Sequence, residues 1–168
     1  IISDIHEDKQ GALWVGTIKG LIRYKNDKFE VLNKKHGLPD DVIYSILTDH
    51  RENFWVGTNR GIFRLMRQEV DDFFSGKRDH VSPTVYGREA AMRSIECNGG
   101  NQPAGCRSSD GKVWFPTIKG VSVVDPANIG QNPLPPPVVI ENVTMNGKAY
   151  PVSNRFEFPD EGDLEVSF

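Results

Sequence analysis

The segment Leu13-Trp14-Val15-Gly16-Thr17-Ile18-Lys19-Gly20-Leu21 returns as Phe54-Trp55-Val56-Gly57-Thr58-Asn59-Arg60-Gly61-Ile62. It returns again as Val113-Trp114-Phe115-Pro116-Thr117-Ile118-Lys119-Gly120-Val121. Trp55 follows Trp14 by 41 residues, within the period of about 40–45 residues that marks a four-stranded propeller blade. Trp114 follows Trp55 by 59, so the third copy carries an insertion of 18 residues. The 41-residue register continues without a gap outside the core motif: Ile2 aligns with Ile43, Ile5 with Ile46, Asp8 with Asp49 and Arg23 with Arg64.

Each unit reads as short strands separated by turns. Val42-Ile43-Tyr44-Ser45-Ile46-Leu47 is rich in β-branched and aromatic residues, the composition of a strand. The polar run 49–53 leads into the Trp-bearing strand, and a loop ending in Gly20, Gly61 or Gly120 turns the chain back. Trp14, Trp55 and Trp114 each bring a large apolar area, and their recurrence at one blade position assigns them to packing between blades rather than to ligand stacking. Gly16 and Gly57 are expected to leave room for a neighbouring side chain or backbone. The fold class is therefore all-β: a partial β-propeller of about three four-stranded blades, with repeats at 1–41 and 42–82 and an insertion-bearing blade to about 126. Three blades do not close a ring, which takes about four to eight.

Around this frame the 168 residues divide further. Met66 to Phe74 reads as a short helix stopped by Gly76, with Val70, Phe73 and Phe74 turned to the propeller body. Cys97 and Cys106 bracket a Gly-rich loop; they either close a disulfide in an oxidising compartment or remain two unconnected thiols. The propeller part extends to about residue 131. A Pro-rich linker covers 132–137 and a second β-domain begins at 138–168, where Asn146-Gly147 signals a hairpin turn. The chain starts without Met and stops inside the alternating Leu164-Glu165-Val166-Ser167-Phe168, so both ends read as cut. A formal net charge of −3 gives no electrostatic footprint for nucleic acid. No window approaches the roughly 20 apolar residues of a membrane span, so no membrane contact is expected of this fragment itself.

The pattern Asp8, Gly11, Leu13-Trp14-Val15-Gly16-Thr17, Gly20-Leu21, with Gly37-Leu38-Pro39 before the next copy, resembles the two-component regulator propeller repeat. The second copy departs at Glu52, which stands where the first has Gly11, and the third departs at Phe115-Pro116. The continuation from Val123-Val124-Asp125-Pro126 through the prolines to Gly162-Asp163-Leu164 is similar to the start of a triple-tyrosine domain, an immunoglobulin-like β-sandwich. The resemblance implies the periplasmic, extracytoplasmic sensing region of a bacterial signalling receptor anchored in the inner membrane. Ligand binding would be relayed through the rest of the same receptor chain to a cytoplasmic output domain. It further implies a carbohydrate-derived or other small ligand, a homodimer in the full-length receptor, no cofactor and no enzymatic activity in this part.

The residues offer little chemistry beyond that. Asp4, His6 and Asp8 alternate along one strand, but the second copy has Ser45, Leu47 and Asp49 there, so only the turn Asp repeats. No phosphate loop or nucleophile elbow occurs, and no catalytic or metal-binding residue is assigned. The ligand-binding candidates are Asn98, Asn101 and Gln102, on an irregular loop held by a rigid scaffold. Two other readings remain: a propeller-scaffold enzyme of the virginiamycin-lyase type, and a protein-binding scaffold.

Overall fold

A computed structural model of the chain describes residues 1–90, 92–100, 102–129, 142–150 and 164–167. Asn101 and the Pro-rich segment 132–137 lie outside the described residues, as does most of 138–168. The chain divides into one compact unit at Ile1–Ile129 and another at Gly130–Phe168.

The first unit holds three antiparallel sheets in chain order. The first sheet runs β1 (Ile2–Glu7), β2 (Leu13–Thr17), β3 (Gly20–Lys25) and β4 (Lys28–Leu32), each strand pairing with the next. The second runs β5 (Ile43–Thr48), β6 (Phe54–Thr58) and β7 (Gly61–Leu65), then passes through helix α1 (Arg67–Phe74) before β8 (Thr84–Tyr86) completes it. The second sheet thus reaches past residue 82, because part of the insertion falls between its third and fourth strands. Val70 of α1 is fully buried, and Phe73 and Phe74 pack against the same core. The third sheet has three strands, not four: β9 (Cys106–Arg107), β10 (Val113–Thr117) and β11 (Gly120–Val124). Its first strand is cut to two residues, and Cys97 supplies a separate bridge to Thr117.

Two details explain why the motif recurs. Gly20 and Gly61 hold φ of +116° and +115°, a left-handed conformation that L side chains rarely adopt. A Cβ on Gly20 would run into the Leu32 carbonyl oxygen, and one on Gly61 into that of Tyr86, so the fourth strand also forbids a side chain there. The turn itself is held by the repeated Thr. Thr58 Oγ1 accepts from the Arg60 amide at 3.0 Å and donates to the Gly61 carbonyl at 2.8 Å; Thr17 does the same with Lys19 and Gly20.

The core lies between sheets, where each blade stacks on the next. Trp14, Leu21 and Leu32 of the first sheet meet Ile43, Phe54 and Phe63 of the second. Trp55 and Ile62 of the second meet Cys97, Val113 and Phe115 of the third. A Cβ on Gly16 would stand 2.9 Å from Ile43, and one on Gly57 3.1 Å from Phe115, so both glycines mark close approach of blades.

The second unit contains β12 (Asn142–Met145), β13 (Lys148–Tyr150) and β14 (Leu164–Ser167), in the order β13-β12-β14. Asn146 and Gly147 both have positive φ, 52° and 75°, the conformation of a two-residue type I′ hairpin. No described helix is long and apolar enough to cross a membrane.

Candidate functional site

The most ordered polar constellation in the first unit is a clasp on the buried tryptophans. Asp8 Oδ1 accepts from the Gln10 and Ala12 amides, fixing the β1–β2 turn, and Oδ2 accepts from Trp14 Nε1 at 2.9 Å. Asp49 repeats this: Oδ1 takes the Arg51 and Asn53 amides, and Oδ2 takes Trp55 Nε1 at 3.1 Å. Ser108 stands at the same position in the third copy, and its Oγ accepts from Trp114 Nε1 at 2.9 Å. A buried indole N–H without a partner costs free energy, and the acceptor six residues upstream removes that cost. The signal was present in the sequence as an Asp six residues before Trp in two copies.

Asp8 has one partner more than its counterparts. Arg67, at the start of α1, donates from Nη1 to Asp8 Oδ2 at 2.9 Å and from Nε to Asp71 at 3.0 Å. The Asp8 side chain is wholly buried and Arg67 nearly so. Burial alone would raise the Asp8 carboxyl; the Trp14 indole, the Ala12 amide and the Arg67 guanidinium outweigh it and hold the group below its ordinary 3.8. This cluster locks the helix of the second blade onto the first.

Asp4 and His6 are sent elsewhere. Asp4 Oδ2 accepts from the Ile46 amide at 2.7 Å, tying β1 to β5, and His6 Nε2 lies 3.4 Å from Thr48 Oγ1. Burial lowers the His6 pKa below 6.5, against the raising pull of Asp4, Glu52 and Asp8, so the imidazole is neutral at pH 7. Among the described residues no three His, Cys, Asp or Glu side chains converge as a metal site.

The irregular loop comes to rest on the edge strands β1 and β5. Its entry runs beside the Thr117–Gly120 turn, with the Asn98 amide donating to the Pro116 carbonyl at 2.9 Å and the Ile118 amide to Glu96 at 3.2 Å. Gly99 backs directly onto the Tyr44 ring, and Tyr44 Oη donates to Asn59 Oδ1 at 2.7 Å. Gln102 Nε2 donates to the Ser3 carbonyl of β1. One loop of the third blade therefore spans the starts of β5 and β1, at the end of the sheets where the Thr-x-x-Gly turns lie. Asn98 and Gln102 belong to this assembly; Asn101 lies outside the described residues.

Cys97 and Cys106 are free thiols. Both flank β10 on the same edge, Cys97 opposite Thr117 and Cys106 opposite Trp114. Three residues of strand put their Cα atoms about 10 Å apart with side chains on opposite faces, beyond the roughly 7 Å limit for a disulfide. Burial pushes the Cys97 thiol up to about 11, whereas Cys106 is exposed. Trp114, expected to pack like Trp14 and Trp55, is 38% exposed where those two are fully buried. The reason is positional: Trp14 and Trp55 are each covered by the following blade, and within the first unit no sheet follows the one that carries Trp114. It borders an open recess of about 270 Å³ with Pro103, Cys106, Pro116 and Val121. That lining lacks the convergent polar groups that orient a small ligand.

The repeated Asp–Trp clasp and Thr–Gly turn are the two devices that define each blade. Residues 1–19 and 37–60 match the two component regulator propeller family model. These two segments hold the first and second clasps and the Thr that opens each turn, Thr17 and Thr58, and each stops one residue before the turn's glycine. No curated protein matches the chain. Among solved structures, the chain is similar to one described as the extracellular domain of the hybrid two component system BT3049 from B. thetaiotaomicron. The identity is 25% and the TM-score 0.65, over 91% of this chain and 20% of that one. The chain thus spans about a fifth of the length of the structure it matches.

Proposed function

We propose that this chain is part of the periplasmic, ligand-sensing region of a bacterial two-component-type receptor. The observation that carries the reading is the likeness, over 91% of the chain, to the extracellular domain of a hybrid two component system. The propeller-repeat match supports it independently. In this reading the blades form a rigid scaffold without catalytic groups. A carbohydrate-derived or other small ligand binds at the end of the sheets where the loop carrying Asn98 and Gln102 crosses β1 and β5. Tyr44 and Asn59 add an aromatic ring and an amide oxygen to that end, and loops on a rigid scaffold are where recognition concentrates. The second unit begins a triple-tyrosine-type sandwich that carries the signal to the rest of the receptor, which works as a homodimer.

A thermal-shift screen of the chain against oligosaccharides, each hit checked by mass spectrometry for turnover, tests this. The expected result is a concentration-dependent stabilisation, which follows from binding to the folded state alone, with the saccharide recovered intact. Recovery of a cleaved or rearranged saccharide would replace the sensor with an enzyme.

A further inference from the structure

The Thr-x-x-Gly turn occurs once in each blade, and the fold dictates only its two ends. Thr17, Thr58 and Thr117 donate from Oγ1 to the carbonyl of the turn's glycine at 2.8, 2.8 and 3.0 Å. Gly20, Gly61 and Gly120 all hold a positive φ. The residue just before the glycine is exposed in every copy, and its side chain makes no hydrogen bond or ion pair among the described residues. It is nonetheless a cation each time: Lys19, Arg60 and Lys119. The three turns stand side by side. The Gly20 amide donates to the Asp41 carbonyl at 2.7 Å, next to the start of β5, where Ile43 lies opposite Thr58. The Cys97 amide donates to the Thr58 carbonyl at 3.0 Å, and Cys97 bridges to Thr117.

Nearby carboxylates leave the row positive. Asp4, Asp40 and Asp41 accept from the Ile46, Val42 and Lys34 amides, and exposed Glu96 pairs with none of the three cations. At the opposite end of the sheets cations are answered locally, Lys9 by Glu52 at 2.7 Å and Lys112 by Asp110 at 2.8 Å. On the sensing role proposed above, we infer that Lys19, Arg60 and Lys119 select an acidic ligand, an oligosaccharide bearing carboxylate or sulfate groups laid across successive turns. Packed sheets lie about 10 Å apart, so the ligand carries its charges on several sugar units. One exposed cation is a weak contact, but contacts made along a single oligomer reinforce one another. Arg60 adds a planar fork for an anionic oxygen pair, beside Asn59 and the Tyr44 hydroxyl that donates to it.

Thermal shift and titration calorimetry with three probes test this: hexagalacturonate for carboxylates, sulfated maltohexaose for sulfates and maltohexaose as the neutral match. At low salt an acidic probe is expected to bind and the neutral one not to, and which acidic probe binds assigns the anion. Affinity should fall as the screening length shrinks from about 30 Å at 0.01 M salt to about 8 Å at 0.15 M. Arg60→Glu should weaken binding by about tenfold or more, and the triple variant Lys19→Glu, Arg60→Glu, Lys119→Glu should abolish it. Lys28→Glu, in the β3–β4 hairpin at the opposite end, changes net charge as much as Arg60→Glu and should bind as the wild type does. All four positions are exposed, so far-UV circular dichroism should be unchanged in every variant. Equal binding of the neutral and acidic probes would overturn the inference and leave the sensing role standing. Equal weakening by Lys28→Glu and Arg60→Glu would overturn it as well, because net charge and not the row would then attract the probe. Failure of these probes, together with failure of the wider saccharide screen, would overturn both.

Discussion

Replacing Asp8 with Asn removes the charge that Arg67 faces and sets an amide N–H₂ or a single oxygen against two donors, Trp14 Nε1 and Arg67 Nη1. The carboxylate is fully buried and Arg67 is 13% exposed, so water does not repair the loss. Breaking a buried pair from one side costs about 3–5 kcal/mol. For a chain of this size that lowers Tm by about 2–4 °C per kcal/mol, roughly 6–20 °C in all. Asp49→Asn is the internal control. Asp49 clasps Trp55 in the same way but its Oδ2 meets Asn53 rather than a guanidinium, so the cost should fall to about 1–3 kcal/mol. Ser108→Ala is the second control, because Trp114 Nε1 lies on an exposed side chain where water can replace the hydroxyl; its effect should stay within about 0.5 kcal/mol. Urea denaturation followed by tryptophan fluorescence reads all three variants in the right place, since the three Trp of the chain are Trp14, Trp55 and Trp114. Protein concentration is held low and constant so that association does not enter. A Ser108→Ala variant as damaged as Asp8→Asn, or an Asp49→Asn variant more damaged, would refute the clasp as the source of the stability.

Other predictions follow from the same geometry. Because the folded Asp8 carboxyl lies below 3.8, its contribution is fully present above that value and lost as pH falls through the folded pKa; the gap between wild type and Asp8→Asn in acid denaturation should shrink below pH 3.8. His6, also lowered, adds a separate loss of stability as pH falls below 6.5, and His6→Gln should flatten that part of the profile. Gly61→Ala places a Cβ at φ +115° against the Tyr86 carbonyl and should cost more than about 2 kcal/mol. Gly11→Ala, at φ +75° with open space around it, should cost about 1 kcal/mol in the same urea assay. Thiol titration of the native chain should give one fast equivalent, from exposed Cys106, with Cys97 reacting only on unfolding. Finding no reactive thiol in the oxidised protein would restore the disulfide.

The 41-residue register made the first seven strands legible, because Trp, Gly and Thr recur for reasons of packing and turn geometry that act within one blade. The second copy even keeps the left-handed turn at Glu52 (φ +60°), where the first has Gly11, so the backbone followed the register across a residue mismatch. The fourth strand of the second sheet was not legible. Thr84–Tyr86 is three residues long and sits beyond a helix that the repeat does not contain. The thinning of the third blade was hidden for a related reason: its first strand is divided between Cys97 and Cys106–Arg107 by the loop. The exposure of Trp114 depends on what packs over it, which lies outside any single repeat. Of the site, the loop was singled out from composition alone. Its landing place on Ser3 and Tyr44, some 55 to 99 residues away in sequence, is a tertiary fact that local patterning does not encode. Arg67 was missed for the same reason, since its partner Asp8 belongs to the preceding blade.

The most direct test of the sensing account is hydrogen–deuterium exchange by mass spectrometry on the chain with and without a stabilising oligosaccharide from the screen. The account predicts protection concentrated in peptides covering 96–102, Tyr44 and Asn59–Arg60, with the saccharide unchanged afterwards. Protection confined to peptides away from this end of the sheets, with 96–102 exchanging as in the free chain, would contradict it.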